Sequence, residues 1–216
     1  MSKFPVPSVI QCVPKRLNSA RQVQQRLGSK LYLDLSGDGR YALLESLMTF
    51  GGRGHLHLED DIILAKNFEQ LVPPIINKHQ DQIIRFFPSC FNHFSYVSVG
   101  KPYIAPNDKF QYLQCVWFPD WFPSQFLDWA DEVGYPPPPE RRYEKYGIYD
   151  LWVRAFLRHT KRDFICWYPS LVQHQVGESA VDSSRDIIRQ SKFFIEETKW
   201  RYKKLSNGKL RAYKKK

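Results

Sequence analysis

Apolar and polar positions along the first 65 residues fall into short blocks that predict strand, helix, strand, helix, strand. Ser8-Val9-Ile10-Gln11-Cys12-Val13 reads as a short buried strand, closed by Pro14-Lys15-Arg16. Asn18 or Ser19 then caps a helix that reaches Leu27. Lys30 to Leu35 is a second strand, and Ser36-Gly37-Asp38-Gly39 is a loop. Tyr41 to Phe50 fits a helix with Leu43, Leu44, Leu47 and Phe50 on its apolar side, and Gly51-Gly52-Arg53-Gly54 ends it. A third strand opens at His55, runs into Glu59-Asp60-Asp61 and continues into Ile62-Ile63-Leu64. Strands separated by single helices predict a parallel, doubly wound sheet that binds ligands at the carboxyl ends of its strands. Lys15 and Arg16 follow the first strand and the three acids follow the third, so cations and carboxylates are expected to face one crevice.

Further along, Asn67 to His79 reads as a helix bent or split by Pro73-Pro74, and Gln82 to Phe87 as a strand. From Pro88 the pattern becomes aromatic: Tyr96 to Gly100 and Tyr112 to Phe118, bounded by Pro102 and Pro106-Asn107, predict a smaller antiparallel part with an aromatic-lined cleft. Ser124 to Glu132 is a short helix, and Gly134 to Pro139 a proline-rich loop. Tyr149 to His159 is a helix that turns Leu151, Trp152, Ala155 and Phe156 inward and carries Asp150 in its first turn, where a carboxylate meets the helix dipole favourably. Phe164 to Tyr168 is a strand, followed by Leu171-Val172-Gln173-His174. From Ser184, the spacing of Ile188, Phe194, Thr198 and Tyr202 predicts an amphipathic helix that ends at Ser206-Asn207-Gly208. The expectation is an α/β domain over residues 1–183, mostly parallel and Rossmann-like with a smaller antiparallel part, followed by a basic helical tail over 184–216.

Charge sharpens that division. The 216 residues carry a net +10, but 12 Lys or Arg against 3 Asp or Glu lie between Arg185 and Lys216. The 184 residues before them are nearly neutral, at +1. A basic segment attached to a neutral globule is a handle for polyanions: nucleic acid or an anionic membrane surface. Hydrophobic residues make up 43% of the chain, enough for a core, while no apolar run approaches the roughly 20 residues of a membrane span. The first residues show no apolar signal segment, and Cys12, Cys90, Cys115 and Cys166 lie far apart with no CxxC. Together these predict reduced, mostly buried thiols in a cytoplasmic protein.

Three adjacent carboxylates repel one another, and a strand end gathers them only against an opposing charge, most simply a divalent metal carrying a phosphate. A solvated acidic turn is the plainer alternative. It fits poorly with flanks of Leu56, Leu58, Ile62, Ile63 and Leu64 and no Gly or Pro in the turn. His55-x-His57-x-Glu59-Asp60 approaches a metallo-hydrolase signature, but Asp60 stands where the final histidine belongs.

In order and spacing, four pieces resemble a GT-A glycosyltransferase over roughly Val9 to Ser179: the strand ending in Pro14-Lys15-Arg16, the Gly37-Asp38-Gly39-Arg40 loop leading into a helix, Leu58-Glu59-Asp60-Asp61 as a variant of the DxD motif, and Pro169-Ser170-Leu171-Val172-Gln173-His174 before Gly177-Glu178-Ser179. The resemblance implies a hexosyl- or pentosyltransferase that uses Mn²⁺ or Mg²⁺ and a nucleotide-sugar donor, UDP-linked in the first instance. It implies Asp61 and His174 as metal ligands, with Asp60 or Glu59 on the ribose or a metal-bound water. It implies Pro14, Lys15, Arg16, Asp34 and Arg40 around the nucleotide and diphosphate, and Asp150 as the base for the acceptor hydroxyl. Oxygen ligands suit both ions, and imidazole suits Mn²⁺ better.

Two acceptors fit the basic tail. One is a hydroxymethylated base in DNA, as in phage enzymes that glycosylate their genome. Lys203 and Lys204 would then lie on phosphates, and Trp117, Phe118, Trp121 or Phe122 would stack on an exposed base. The other is a lipid-linked or surface glycan, with the tail on an anionic membrane. A non-catalytic basic protein that binds nucleic acid is the third reading.

Overall fold

A computed structural model describes residues 4–88, 102–133, 149–175, 191, 194–195, 200–204 and 210–214. The chain opens with β1 (Ser8–Cys12), a 3-10 turn (Pro14–Arg16), α1 (Leu17–Leu27), β2 (Lys30–Leu33), α2 (Gly39–Met48), β3 (His55–Glu59), β4 (Ile62–Leu64), α3 (Phe68–Lys78) and β5 (Ile84–Arg85). It continues with β6 (Pro102–Ala105), a 3-10 turn (Asn107–Lys109), β7 (Cys115–Phe118), α4 (Trp121–Glu132), α5 (Asp150–His159), β8 (Phe164–Trp167), β9 (Val172–His174), β10 (Trp200–Lys204) and β11 (Leu210–Lys214).

Seven strands form one sheet in the order β2-β1-β3-β7-β5-β8-β6. β1 is parallel to β2 and β3, and β5 is parallel to β8. β7 runs antiparallel between β3 and β5, and β6 antiparallel on the edge against β8. The fold is therefore α/β with a mixed, mostly parallel sheet. Period-two alternation sends neighbouring side chains to opposite layers. Leu56 and Leu58 of β3, Cys115 and Trp117 of β7, and Ile165 of β8 join α1 and α3 in one core. Val116, Phe118, Phe164 and Cys166 point the other way, into a second core with α2, α4 and α5. There Phe118, Phe122 and Phe126 stack in sequence, with centroids 4.2 and 5.1 Å apart, and Phe156 meets Phe122 and Phe126 edge-on.

Several expectations change. The antiparallel part is built into the main sheet by β6 and β7 rather than set beside it, and Pro102 begins a strand where a boundary was expected. Pro fits there because β6 is an edge strand, where a missing N–H costs no ladder bond. α1 begins at Leu17, directly out of the 3-10 turn, so Asn18 and Ser19 lie inside the helix and do not cap it. α3 runs unbroken through Pro73 and Pro74. Burial of Phe68, Val72, Ile75 and Ile76 on one face, on the order of 1.5–3 kcal/mol for each side chain, offsets the lost ladder bonds.

The expected tail helix is corrected as well. Trp200–Lys204 and Leu210–Lys214 pair as an antiparallel hairpin, with Lys203 in register with Arg211 and Lys204 with Leu210. Aromatic and basic residues alternate from Trp200 to Lys203 ahead of Asn207-Gly208, a hairpin signal that outranks the helical spacing. Upstream, Phe194 is buried in the first core and bridges Ser170, while the Gln173 side chain holds Ser191 through both its N–H and its carbonyl. Ser191 and Phe194 therefore pack against residues of the 1–183 span. The strand expected at Tyr96 to Gly100 and the loop at Gly134 to Pro139 lie outside the described residues.

Candidate functional site

The 3-10 turn after β1, the loop after β2 and the acidic turn after β3 all lie at the carboxyl edge of the parallel strands. β3 ends at Glu59, and Asp60 and Asp61 form the turn into β4, which pairs antiparallel with β9 and sets Ile62 opposite His174. Gln175 fastens this arrangement by donating its backbone N–H to the Asp61 carbonyl at 2.7 Å. Segments more than 100 residues apart in sequence thus meet at one point.

Each acid has its own partner. Glu59 Oε1 accepts a 2.5 Å hydrogen bond from the Tyr149 hydroxyl, just ahead of α5. Asp60 Oδ2 accepts the Val13 N–H at 2.8 Å, and its Oδ1 accepts Arg16 Nη1 at 3.1 Å. Asp61 Oδ2 takes the same Arg16 nitrogen and also His174 Nε2, at 3.1 Å. Asp61 Oδ1 is buried without a hydrogen-bond partner. His174 Nδ1 lies 2.7 Å from the Gln175 carbonyl, which can only accept, so Nδ1 carries a hydrogen and Nε2 is the nitrogen facing Asp61.

The electrostatics follow from this crowding. Burial and the neighbouring Asp61 push the Glu59 carboxyl up to about 8. Burial likewise raises Asp60, only partly offset by the Val13 N–H and Arg16. Burial opposes the charge on Asp61 too, but the His174 hydrogen bond and the nearby cations outweigh it and hold its carboxyl below the usual range. His174 is raised in turn: burial works against its charge and Asp61 overcomes it.

The other predicted residues are distributed unevenly. Asp34 sits at the same edge, yet its Oδ1 holds the following loop, accepting Ser36 N–H, Ser36 Oγ and Gly37 N–H. Arg40 folds back on Asp38, the N-cap of α2, in a two-pronged ion pair. Pro14 and Lys15 are exposed on the turn. Asp150 opens α5 and accepts the Tyr112 N–H at 2.9 Å.

The aromatic residues expected to stack on a base are elsewhere. β7 is antiparallel to β3, so Trp117 and Phe118 lie opposite Leu56 and His55, at the far end of β3 from the acids. Phe118 and Phe122 are fully buried, Trp117 nearly so, and the Trp121 ring is covered by Arg162 at 3.9 Å. Sheet and core packing claim all four. Lys203 and Lys204 lie on β10.

Tyr149 and Gln175 carry no motif and were not legible, and Gly39, though part of the Gly37-Asp38-Gly39-Arg40 loop, had no predicted role toward Tyr149. A Cβ added to Gly39 would come within 2.5 Å of the Tyr149 ring, so glycine makes the space in which Tyr149 reaches Glu59. His55 and His57 are buried in the sheet, with burial pushing them down to about 4 and about 3, and take no part in the site. Cys12, Cys115 and Cys166 are free and buried, and burial pushes the Cys12 thiol up to about 12.

Among the described residues, no three His, Cys, Asp or Glu side chains close on a metal ion as they stand, and Arg16 lies against both aspartates. The donor chemistry nonetheless suits a hard divalent cation: an unpartnered Asp61 oxygen and an imidazole nitrogen whose tautomer is set by the Gln175 carbonyl. In comparison with known proteins, no family model matches this chain and no curated protein matches it significantly. Among the described residues, no helix is long and apolar enough to cross a membrane.

Proposed function

We propose that this chain is a metal-dependent glycosyltransferase of GT-A type, moving a sugar from a nucleotide-sugar donor to a hydroxyl, with a hydroxymethylated base in DNA as the acceptor. One observation carries the reading: Arg16, Asp60, Asp61 and His174, from three separate segments, converge at the carboxyl edge of a mostly parallel sheet. Asp61 and His174 would hold Mn²⁺ or Mg²⁺. The ion, when bound, neutralises charge growing on the departing diphosphate. Lys15 and Arg16 lie on the turn beside that position and suit phosphate oxygens. The Tyr149 bond to Glu59 brings the first turn of α5 beside the acids, which supports Asp150 as the group that takes the proton from the acceptor hydroxyl. The charge concentrated between Arg185 and Lys216 supports a polyanionic acceptor.

Thermal melting with Mn²⁺ and a panel of nucleotide sugars tests the donor site. One donor is expected to raise the melting temperature of the wild type and not of Asp61→Asn. A panel without effect in either protein would contradict the proposal. For the acceptor, retention on duplex DNA is expected to fall steeply with salt. Pelleting with anionic vesicles but not with DNA would favour the membrane glycan instead.

A further inference from the structure

We infer that Arg16 is an internal counter-ion of the metal site, releasing Asp60 and Asp61 only when a diphosphate takes it over, so that cation and diphosphate bind together. The inference rests on the function proposed above. One guanidinium nitrogen, Nη1, touches Asp60 Oδ1 and Asp61 Oδ2 at once, and the second of these oxygens also receives His174. A divalent cation coming to Asp61 therefore meets a cation already in place.

Arg16 does not leave alone, because two largely buried carboxylates would then keep only the Val13 N–H, on Asp60, and His174, on Asp61. Nor does a metal ion arriving alone gain the full attraction of the aspartates, since Arg16 would give up both of them in the exchange. A diphosphate changes the balance. It offers the guanidinium planar, two-pronged oxygen partners, and it carries the charge that the incoming ion needs. The Arg16 side chain is 18% exposed, so part of it reaches solvent, where a diphosphate can meet it. Its backbone stays in place meanwhile, because Asp60 Oδ2 holds the Val13 N–H and the 3-10 turn closes from Arg16 N–H to the Val13 carbonyl. Each ligand thus removes an obstacle to the other, which is positive linkage between two sites that share one arginine.

The test is Mn²⁺ binding to the full chain by equilibrium dialysis and electron paramagnetic resonance, with melting temperature alongside, first without and then with UDP. The proteins are wild type, Asp61→Asn, Arg16→Gln, Arg16→Lys and the double variant Arg16→Gln, Asp61→Asn. Without UDP, Arg16→Gln is expected to bind Mn²⁺ about tenfold or more tightly than wild type, with Arg16→Lys between them. The double variant is expected to lose the gain. UDP is expected to tighten Mn²⁺ binding in wild type far more than in Arg16→Gln. Should Arg16→Gln fold only when Mn²⁺ is present, the melting curves record the same preference. If neither Arg16 variant binds Mn²⁺ more tightly, while wild type takes it up with UDP in an Asp61-dependent way, the inference fails and the proposed function stands. If no protein takes up Mn²⁺ under either condition, the proposed function fails and the inference with it.

Discussion

Glu59, Asp60 and Asp61 are neighbours in the chain, and each is engaged by a different part of the fold. Asp61 joins Arg16 to His174, so Asp61→Asn is expected to leave a folded protein, because Asp60 still holds Arg16. Its stability should fall by on the order of 1–3 kcal/mol in urea unfolding, and Mn²⁺-dependent activity should fall on the order of 100-fold or more. Gly39→Ala places a methyl group against the Tyr149 ring. A loss of about 1–3 kcal/mol is expected by the same measurement, whereas Tyr149→Phe, which removes only the hydroxyl, should lose about 0.5–1.5 kcal/mol. The acids were legible because carboxylates beside an apolar strand are unusual, and His174 because Pro169-Ser170-Leu171-Val172-Gln173-His174 resembles the late strand of a GT-A glycosyltransferase. Arg16 was expected to face the same crevice, but its direct ion pairs to Asp60 and Asp61, and Tyr149 as the partner of Glu59, depend on contacts across about 40 to 90 residues that no local spacing encodes.

His55 and His57 contribute to loss of stability in acid. Both are neutral in the fold, with pKa values of about 4 and about 3, against about 6.5 when unfolded. A depressed folded value means that the unfolded chain binds protons first as pH falls. Their contribution is therefore complete above pH ~6.5 and is lost between there and about 4 for His55 and about 3 for His57. Urea unfolding at a series of pH values should show stability falling across that window. The fall should shrink in His57→Gln relative to its own value at neutral pH.

At the scale of elements, the early strands and helices could be read from the chain because each is a short apolar block with its own stop signal, such as Pro14 or Gly51-Gly52. β5 lies within the strand read over Gln82 to Phe87, whereas β6 was missed: four residues offer too few positions for a period, and Pro102 argued against a strand there. The C-terminal error came from weighing spacing over 184–202 above the turn signal at Asn207-Gly208. Gln173 imitates a strand partner by giving its amide to the Ser191 carbonyl and accepting the Ser191 N–H, at 3.0 and 2.7 Å. Gln173→Ala should cost about 1–3 kcal/mol. Hydrogen exchange should show loss of protection at Ser191 and Ile195, where a purely local effect would leave Ile195 unchanged.

For the whole molecule, a sheet covered on both faces leaves its carboxyl edge as the place where loops from distant segments meet. Strand order decides which loops those are. The sequence indicated the crevice between the first and third strands, but not the antiparallel β7 beside β3, which carries Trp117 and Phe118 to the opposite end. The base-stacking role therefore passes from those aromatics, and the proposed contact to a polyanion rests on the basic C-terminal residues. Truncation after Ile195 is expected to remove most salt-dependent retention on duplex DNA. The melting temperature should move little, because β10 and β11 pair with each other and not with the main sheet.

The central claim is that Asp61 and His174 serve a metal-dependent sugar transfer, and donor turnover tests it most directly. The protein is incubated with each of a panel of nucleotide sugars, with Mn²⁺ and with chelator, and release of nucleoside diphosphate is followed by mass spectrometry. The account predicts that one donor is consumed with Mn²⁺ and not with chelator, and that Asp61→Asn and His174→Ala abolish its consumption while remaining folded. No consumption of any donor, or consumption indifferent to both substitutions, would contradict it.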